Sequence, residues 1–239
     1  MARTKLTQKS KAVAKIAFLF DVDNTVLDND HVLGDLKKHF EHEIGRERSM
    51  RYWKIFEQLR NELGYADYLG ALQRYRCKYS HDIHVLKVSR YLIDYPFANR
   101  LFPSSLDVLE RAKHWGRVVL LSDGDVVFQP HKIERSGLFE AVGGHVLVYI
   151  HKQDELRDVQ NRYPASHYVV IDDKLRVLTE IKKRWRKRVT TVFVRQGHYA
   201  LDQKIIASCP PADITIERIG DLLNFHRDDF LCAPGAGSG

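Results

Sequence analysis

Cysteine is scarce in this chain. There are three, Cys77, Cys209 and Cys232, widely spaced and with no CxxC pair. That excludes the paired-thiol spacing of a structural zinc site, and an odd, scattered set suggests no disulfide framework; a reducing, cytoplasmic setting is expected. Long apolar runs are missing too. No stretch approaches the ~20 apolar residues of a membrane-crossing helix. In the opening MARTKLTQKSKAVAKIAFLF, the apolar run ends at Asp21 after a few residues, too short for a signal peptide. No segment recurs at a period of about 20–50 residues, which argues against a solenoid. None of the 12 histidines forms an HxxxH pair beside acids, so they read as surface or core residues rather than metal ligands.

What is present is an ordinary globular composition: 239 residues, 44% hydrophobic and 29% charged. That length fits one core domain carrying a smaller insert. The formal charge of +7 favours anionic ligands and leaves nucleic acid open as a partner. The longest basic run, KKRWRKR from Lys182 to Arg188, sits within the helical text TEIKKRWRKR and reads as a solvated face. The final APGAGSG reads as a flexible tail.

Five short apolar runs recur along the chain: IAFLF (16–20), RVVLLS (117–122), HVLVYI (145–150), HYVVID (167–172) and TTVFV (190–194). Nearly continuous apolar strands imply burial on both faces, hence a parallel sheet covered by helices. Between them SLDVLERAKHWG, PHKIERSG, QDELRDVQNRY and KLRVLTEIKKRWRK place an apolar residue every three or four positions, as helices do. The fold class is therefore α/β, a doubly wound, mostly parallel sheet. One interval breaks the alternation. From about Asp30 to Pro96 only amphipathic helical text appears, predicting an all-helical insert of about four helices directly after the first strand. The expected division is a flexible N-terminus over 1–14, an α/β core over 15–29 and 97–230, a helical insert over 30–96, and a tail over 231–239.

In an open α/β sheet, ligands bind beyond the carboxyl ends of the strands. The first strand is followed by Asp21, Asp23 and Thr25, the second by Ser122, Asp123 and Asp125, the third by Lys152, and the fourth by Asp172 and Asp173. Carboxylates gathered on one rim repel unless a cation sits among them. Mg²⁺, a hard ion that prefers oxygen ligands and keeps waters for a substrate phosphate, fits such a set. A carboxylate beside it is able to attack phosphorus, and a second to protonate the leaving oxygen and later activate water. A hydroxyl and an ammonium would stabilise the transferring group's oxygens.

DVDNT at 21–25, LLSDGD at 120–125, Lys152 and VVIDD at 169–173, in that order, resemble the four motifs of the haloacid dehalogenase superfamily. The resemblance implies a Rossmann-like core with a helical cap between motifs one and two. It implies Asp21 as nucleophile and metal ligand, and Asp23 as general acid/base with its backbone carbonyl on the metal. Ser122 and Lys152 would bind the phosphoryl group. Thr25, in the loop that helps position Asp23, is grouped with them. Asp173 would be the main motif-four ligand of Mg²⁺ and Asp172 a direct or water-mediated partner. The activity so implied is a Mg²⁺-dependent phosphatase acting on a small phosphorylated metabolite.

Two departures stand out. Motif four often carries a further acid four or five residues on, where this chain has Val177 and Leu178. Dehalogenases of the superfamily usually lack the second acid of motif one, and Asp23 is present here. Lys132, in PHKIERSG, competes for the lysine role but precedes the third strand and reads as helical. Asp123 and Asp125 read as loop residues around Gly124. Candidates for reading the leaving group are cations of the insert, among them Arg46, Arg48, Arg51, Lys54, Arg74 and Arg76. Two alternatives stay open: phosphotransfer between sugar phosphates, which uses the same core residues, and a non-catalytic module that binds nucleic acid or protein.

Overall fold

The computed structural model describes residues 14–231. The expected N-terminal segment and tail, apart from Ala14 and Leu231, lie outside the described residues, as does Cys232. Six strands form one parallel sheet: β1 (Ala14–Phe20), β2 (Arg117–Asp123), β3 (Val146–Tyr149), β4 (Ala165–Asp172), β5 (Val189–Val194) and β6 (Ile214–Ile216), in the order β3-β2-β1-β4-β5-β6. Five of these match the apolar runs. The sixth, an edge strand of three residues paired with β5, is too short to stand out in ADITIE.

Side chains alternate across the strands, as the pleat requires. Ile16, Phe18 and Phe20 of β1 join Val169 and Ile171 of β4 in one core, while Ala17 and Leu19 join Tyr168 and Val170 in the other. Helix α5 (Ser105–Trp115) covers the first face through Val108, Leu109 and Ala112. The second face is covered by α8 (Leu156–Arg162) and α9 (Leu175–Trp185). Two cores, one per face, are what a doubly wound sheet produces. Trp185 of the basic run is buried in the second core, stacked on Tyr168 at 4.3 Å, and Lys182 is paired with Asp213 at 2.7 Å. No helix among the described residues is long and apolar enough to cross a membrane.

Between β1 and α5 come four α-helices, one short 3-10 helix (Phe97–Arg100) and no strand: the α-helices are α1 (Asn29–Ile44), α2 (Arg46–Leu63), α3 (Tyr68–Lys78) and α4 (Val85–Asp94). Their apolar faces meet in a knot of aromatic rings, including Phe40, Tyr52, Phe56 and Tyr68. The knot joins the core through Phe128, whose ring lies 4.8 Å from Tyr68 and 5.8 Å from Phe97. The chain enters and leaves this insert side by side. Leu27 bridges Leu101, Asp28 N donates to Arg100 O at 2.7 Å, and Phe102 N to Val26 O at 3.0 Å. A two-strand stem of this kind fixes where the insert begins relative to Asp21 and Asp23.

Shorter helices fill other connections among the described residues: α6 (Phe128–Arg135) and α7 (Leu138–Ala141) after β2, and α10 (Gly197–Leu201) and α11 (Gln203–Ala207) after β5.

Candidate active site

The carboxyl ends of β1, β2 and β4 and the loop after β3 bring most of the expected residues to one rim. Asp21 closes β1 and is buried. Beyond it the chain turns tightly, with Val26 N and Leu27 N both donating to Val22 O. Asn24 takes the left-handed conformation at φ 60°, which asparagine tolerates better than most residues. The turn carries Thr25 back so that its Oγ1 donates to Asp21 Oδ2 at 3.1 Å, while Asp23 points elsewhere. This is why the motif needs its spacing. Gly197, at φ +73°, lets the loop after β5 press on the turn, since a Cβ there would come within 2.5 Å of Asn24 Cβ.

Lys152 is buried among acids. Its Nζ pairs with Asp21 Oδ1 and, at 2.7 Å, with Asp172 Oδ2, while its backbone N–H donates to Asp123 Oδ1 at 2.7 Å. Burial by itself would lower the ammonium's pKa. Asp172, Asp21 and Asp123 outweigh it and hold the pKa well above the ordinary lysine value. Asp123, read from sequence as a loop residue, thus closes β2 and orients the lysine.

The acids show the opposite strain. Burial, with Asp21 as a further repulsive charge, pushes Asp172 up to about 6 against the pull of Lys152. Burial pushes Asp173 well above the usual carboxylate range, with Asp172 and Asp21 adding to it. One carboxylate oxygen from each of Asp21, Asp172 and Asp173 lies within 4.8 Å of the others. Neither oxygen of Asp173 has a hydrogen-bond partner among the described residues, although the side chain is fully buried. Orphaned buried carboxyl groups of this kind are rare and costly, and a hard cation is the group that would satisfy them. The donor set fits Mg²⁺.

Asp23 does not join this cluster through its carboxylate. Lys132, buried on α6, donates to its Oδ1 at 2.6 Å and its Oδ2 at 2.8 Å. Lys132 is helical, as read, yet it faces the site. Gln129, one turn earlier on the same helix, donates to Ser122 Oγ at 2.8 Å and reaches Asp23 Oδ2 at 3.4 Å. Ser122 is buried at the end of β2. Neither Gln129 nor Lys174 is singled out by sequence reasoning. Their signals are a polar pair at i, i+3 in QPHK and a lysine directly after VVIDD. Burial opposes the charge of Lys174, but Asp21 and Asp173 carry its pKa above the ordinary value.

Val177 and Leu178, at the places of the further motif-four acid, are buried in the second core. The acid cluster is completed by Asp21 instead.

A cavity of about 400 Å³ opens beside these residues, with Asp23, Lys132 and Lys174 on one side and Phe56, Arg60 and Tyr68 of the insert on the other. None of Arg46, Arg48, Arg51, Lys54, Arg74 and Arg76 lines it; all six are exposed. Arg60 is the insert's arginine that does.

No protein-family model and no curated protein matches the chain. Solved structures do. The magnesium-bound HAD hydrolase YfnB of Bacillus subtilis is 15% identical, with a TM-score of 0.60 over 88% of this chain and 97% of that one. The L-2-haloacid dehalogenase of Xanthobacter autotrophicus is 14% identical, with a TM-score of 0.57 over 87% and 96%. At that distance the likeness is one of fold. A protein of Burkholderia xenovorans described as a haloacid dehalogenase-like hydrolase is far nearer: 60% identical, with a TM-score of 0.85, over 89% of this chain and 99% of its own. Identity of that order across nearly the whole of both chains carries the family with it, and the protein belongs to the haloacid dehalogenase-like hydrolases.

Proposed function

We propose that the protein is a Mg²⁺-dependent phosphatase that hydrolyses a small phosphomonoester through an aspartyl-phosphate on Asp21. One observation carries the reading: a second acid, Asp23, two residues beyond Asp21 and on the wall of the cavity. A hydrolase that displaces halide has no leaving oxygen to protonate. An ester does.

Asp21 is the nucleophile. Lys152 engages its Oδ1 and Thr25 its Oδ2, which limits the rotation of the carboxylate. Its oxygen forms a bond to phosphorus as the ester P–O bond breaks, and Asp23 in its acid form gives the leaving oxygen a proton. Asp23, now a carboxylate, takes a proton from water, whose oxygen attacks the acyl-phosphate and frees Asp21 and phosphate. Ser122 and Lys152 balance charge on the phosphoryl oxygens, in a buried setting where such contacts are stronger than in water. Asp21, Asp172, Asp173 and the backbone carbonyl of Asp23 would hold Mg²⁺, which neutralises the phosphoryl group when bound. The inserted helices act as the cap that walls off the leaving group.

A panel of phosphate esters that includes p-nitrophenyl phosphate, run beside 2-haloacids, tests this. Turnover of an ester with Mg²⁺, lost in chelator and regained with the metal, is the expected result. Silence on every ester, or release of halide from a 2-haloacid, overturns it.

A further inference from the structure

Lys132 is a buried ammonium that the four-motif scheme leaves without a task. Its side chain is 2% exposed, and its Nζ binds both oxygens of Asp23, at 2.6 and 2.8 Å, and Asn29 Oδ1 at 3.1 Å. Those bonds use all of its donors. Among the described residues no other lysine or arginine pairs with Asp23. Taking an ammonium out of water costs several kcal/mol, and an apolar side chain of the same size often serves stability as well or better. Packing alone therefore does not account for a lysine here.

Its partners supply a reason. Asp23 is only partly covered, with its side chain 24% exposed, and a carboxylate there is free to turn unless something grips it. The Lys132 ammonium grips both oxygens at once. On its far side Lys132 holds Asn29, the first residue of α1 and so of the inserted helices. Asn29, Lys132 and Asp23 form one polar line from the insert to the acid, and all three border the cavity.

We propose that Lys132 is a positioning residue for Asp23, and that through Asn29 it makes the placement of the proton-transfer carboxylate depend on how the inserted helices are seated. This rests on the phosphatase reading. A helix α1 displaced from the core carries Asn29 away, loosens Lys132 and frees Asp23 to turn. A leaving group that settles α1 and α3 does the reverse, so the acid is aimed when the cavity is filled.

The test is steady-state kinetics on an alkyl phosphate ester for Lys132→Met, Asn29→Ala, Asp23→Asn and the Lys132→Met/Asp23→Asn double variant. Lys132→Met is expected to lose about a hundredfold in kcat, the cost of an ångström-scale misplacement, with KM nearly unchanged. Asn29→Ala, which keeps the direct pair, is expected to lose less. In the Asp23→Asn background the Lys132 substitution should add little, because the group it aims is already gone. Lys132→Ala should recover part of its kcat when methylamine or ethylamine is added, a rescue that a general folding defect would not show. That variant also serves if Lys132→Met fails to fold. Active wild type with an equally active Lys132→Met, losses that multiply in the double variant, or no amine rescue would overturn the inference alone. A wild type that hydrolyses no phosphate ester overturns the phosphatase reading and this inference with it.

Discussion

Replacing Asp173 by Asn should make the metal-free protein more stable and the metal-loaded one less active. Asp173 is fully buried with both oxygens unpartnered, and a carboxylate oxygen of each of Asp21 and Asp172 lies within 4.8 Å of its own. At an effective dielectric constant near 20, two unit charges at that distance repel by about 3.5 kcal/mol. Asp173 meets two such neighbours, and Lys174 and Lys152 offset part of the repulsion. A net penalty on the order of 2 kcal/mol remains for the charged carboxylate. Asn fills the same space without it. For a chain of this size that gain is worth about 4–8 °C in Tm.

The assay is thermal melting in chelator and across a Mg²⁺ titration. Wild type should climb with Mg²⁺ by the mass-action law, about 2.7 kcal/mol at a hundredfold excess over Kd. The variant should start higher and climb less. A metal-free Asp173→Asn that melts below wild type, or a Mg²⁺ response identical in the two, would refute the idea that this carboxylate is held in readiness for a cation.

Asp23→Asn should cut turnover of an alkyl phosphate by about 10²–10⁴-fold, the usual worth of a general acid/base; the initial rate against wild type measures it. Thr25→Ala removes the hydroxyl that donates to Asp21 and should cost about 1 kcal/mol in stability, read by urea melts, with a matching fall in kcat as the nucleophile loosens. His167, half-buried between strands and in contact with Thr190 at 2.9 Å, has its pKa lowered by burial and then by Lys182. The unfolded chain therefore binds this proton more readily. Stability is intact above about pH 6.5 and falls as the pH drops below it, by at most about 1.4 kcal/mol per unit. His167→Gln should flatten that slope in melts between pH 5 and 7.

Strands that are buried on both faces must be apolar throughout, so β1, β2, β4 and β5 announce themselves in the sequence, and the helical insert does so by its 3.6-residue period. The rim was legible for the same reason. Asp21, Ser122, Lys152, Asp172 and Asp173 sit where strands stop, and strand ends are what the apolar runs reveal. Lys132, Gln129 and Lys174 lie on or at the start of helices, and their orientation depends on how α6 and α9 return to the sheet, which no local pattern states. The same limit applies to the insert. Arg60 reaches the cavity whereas Arg46, Arg74 and Arg76 face solvent, because the docking angle of α2 and α3 decides it. Asp23 shows the limit most clearly: its position in the chain was plain, but its carboxylate turns from the acid cluster toward Lys132, a partner 109 residues away.

The covalent step proposed for Asp21 is tested most directly by mass spectrometry of the Asp23→Asn variant, acid-quenched after mixing with p-nitrophenyl phosphate and Mg²⁺. Nitrophenolate leaves without needing a proton, so the first step should proceed in this variant. The second needs Asp23 to activate water and should stall. One added phosphoryl group is expected on the peptide that contains Asp21, and none when Asp21 is also replaced by Asn. Turnover by the wild type with no adduct in the variant, or an adduct on any other residue, would contradict it.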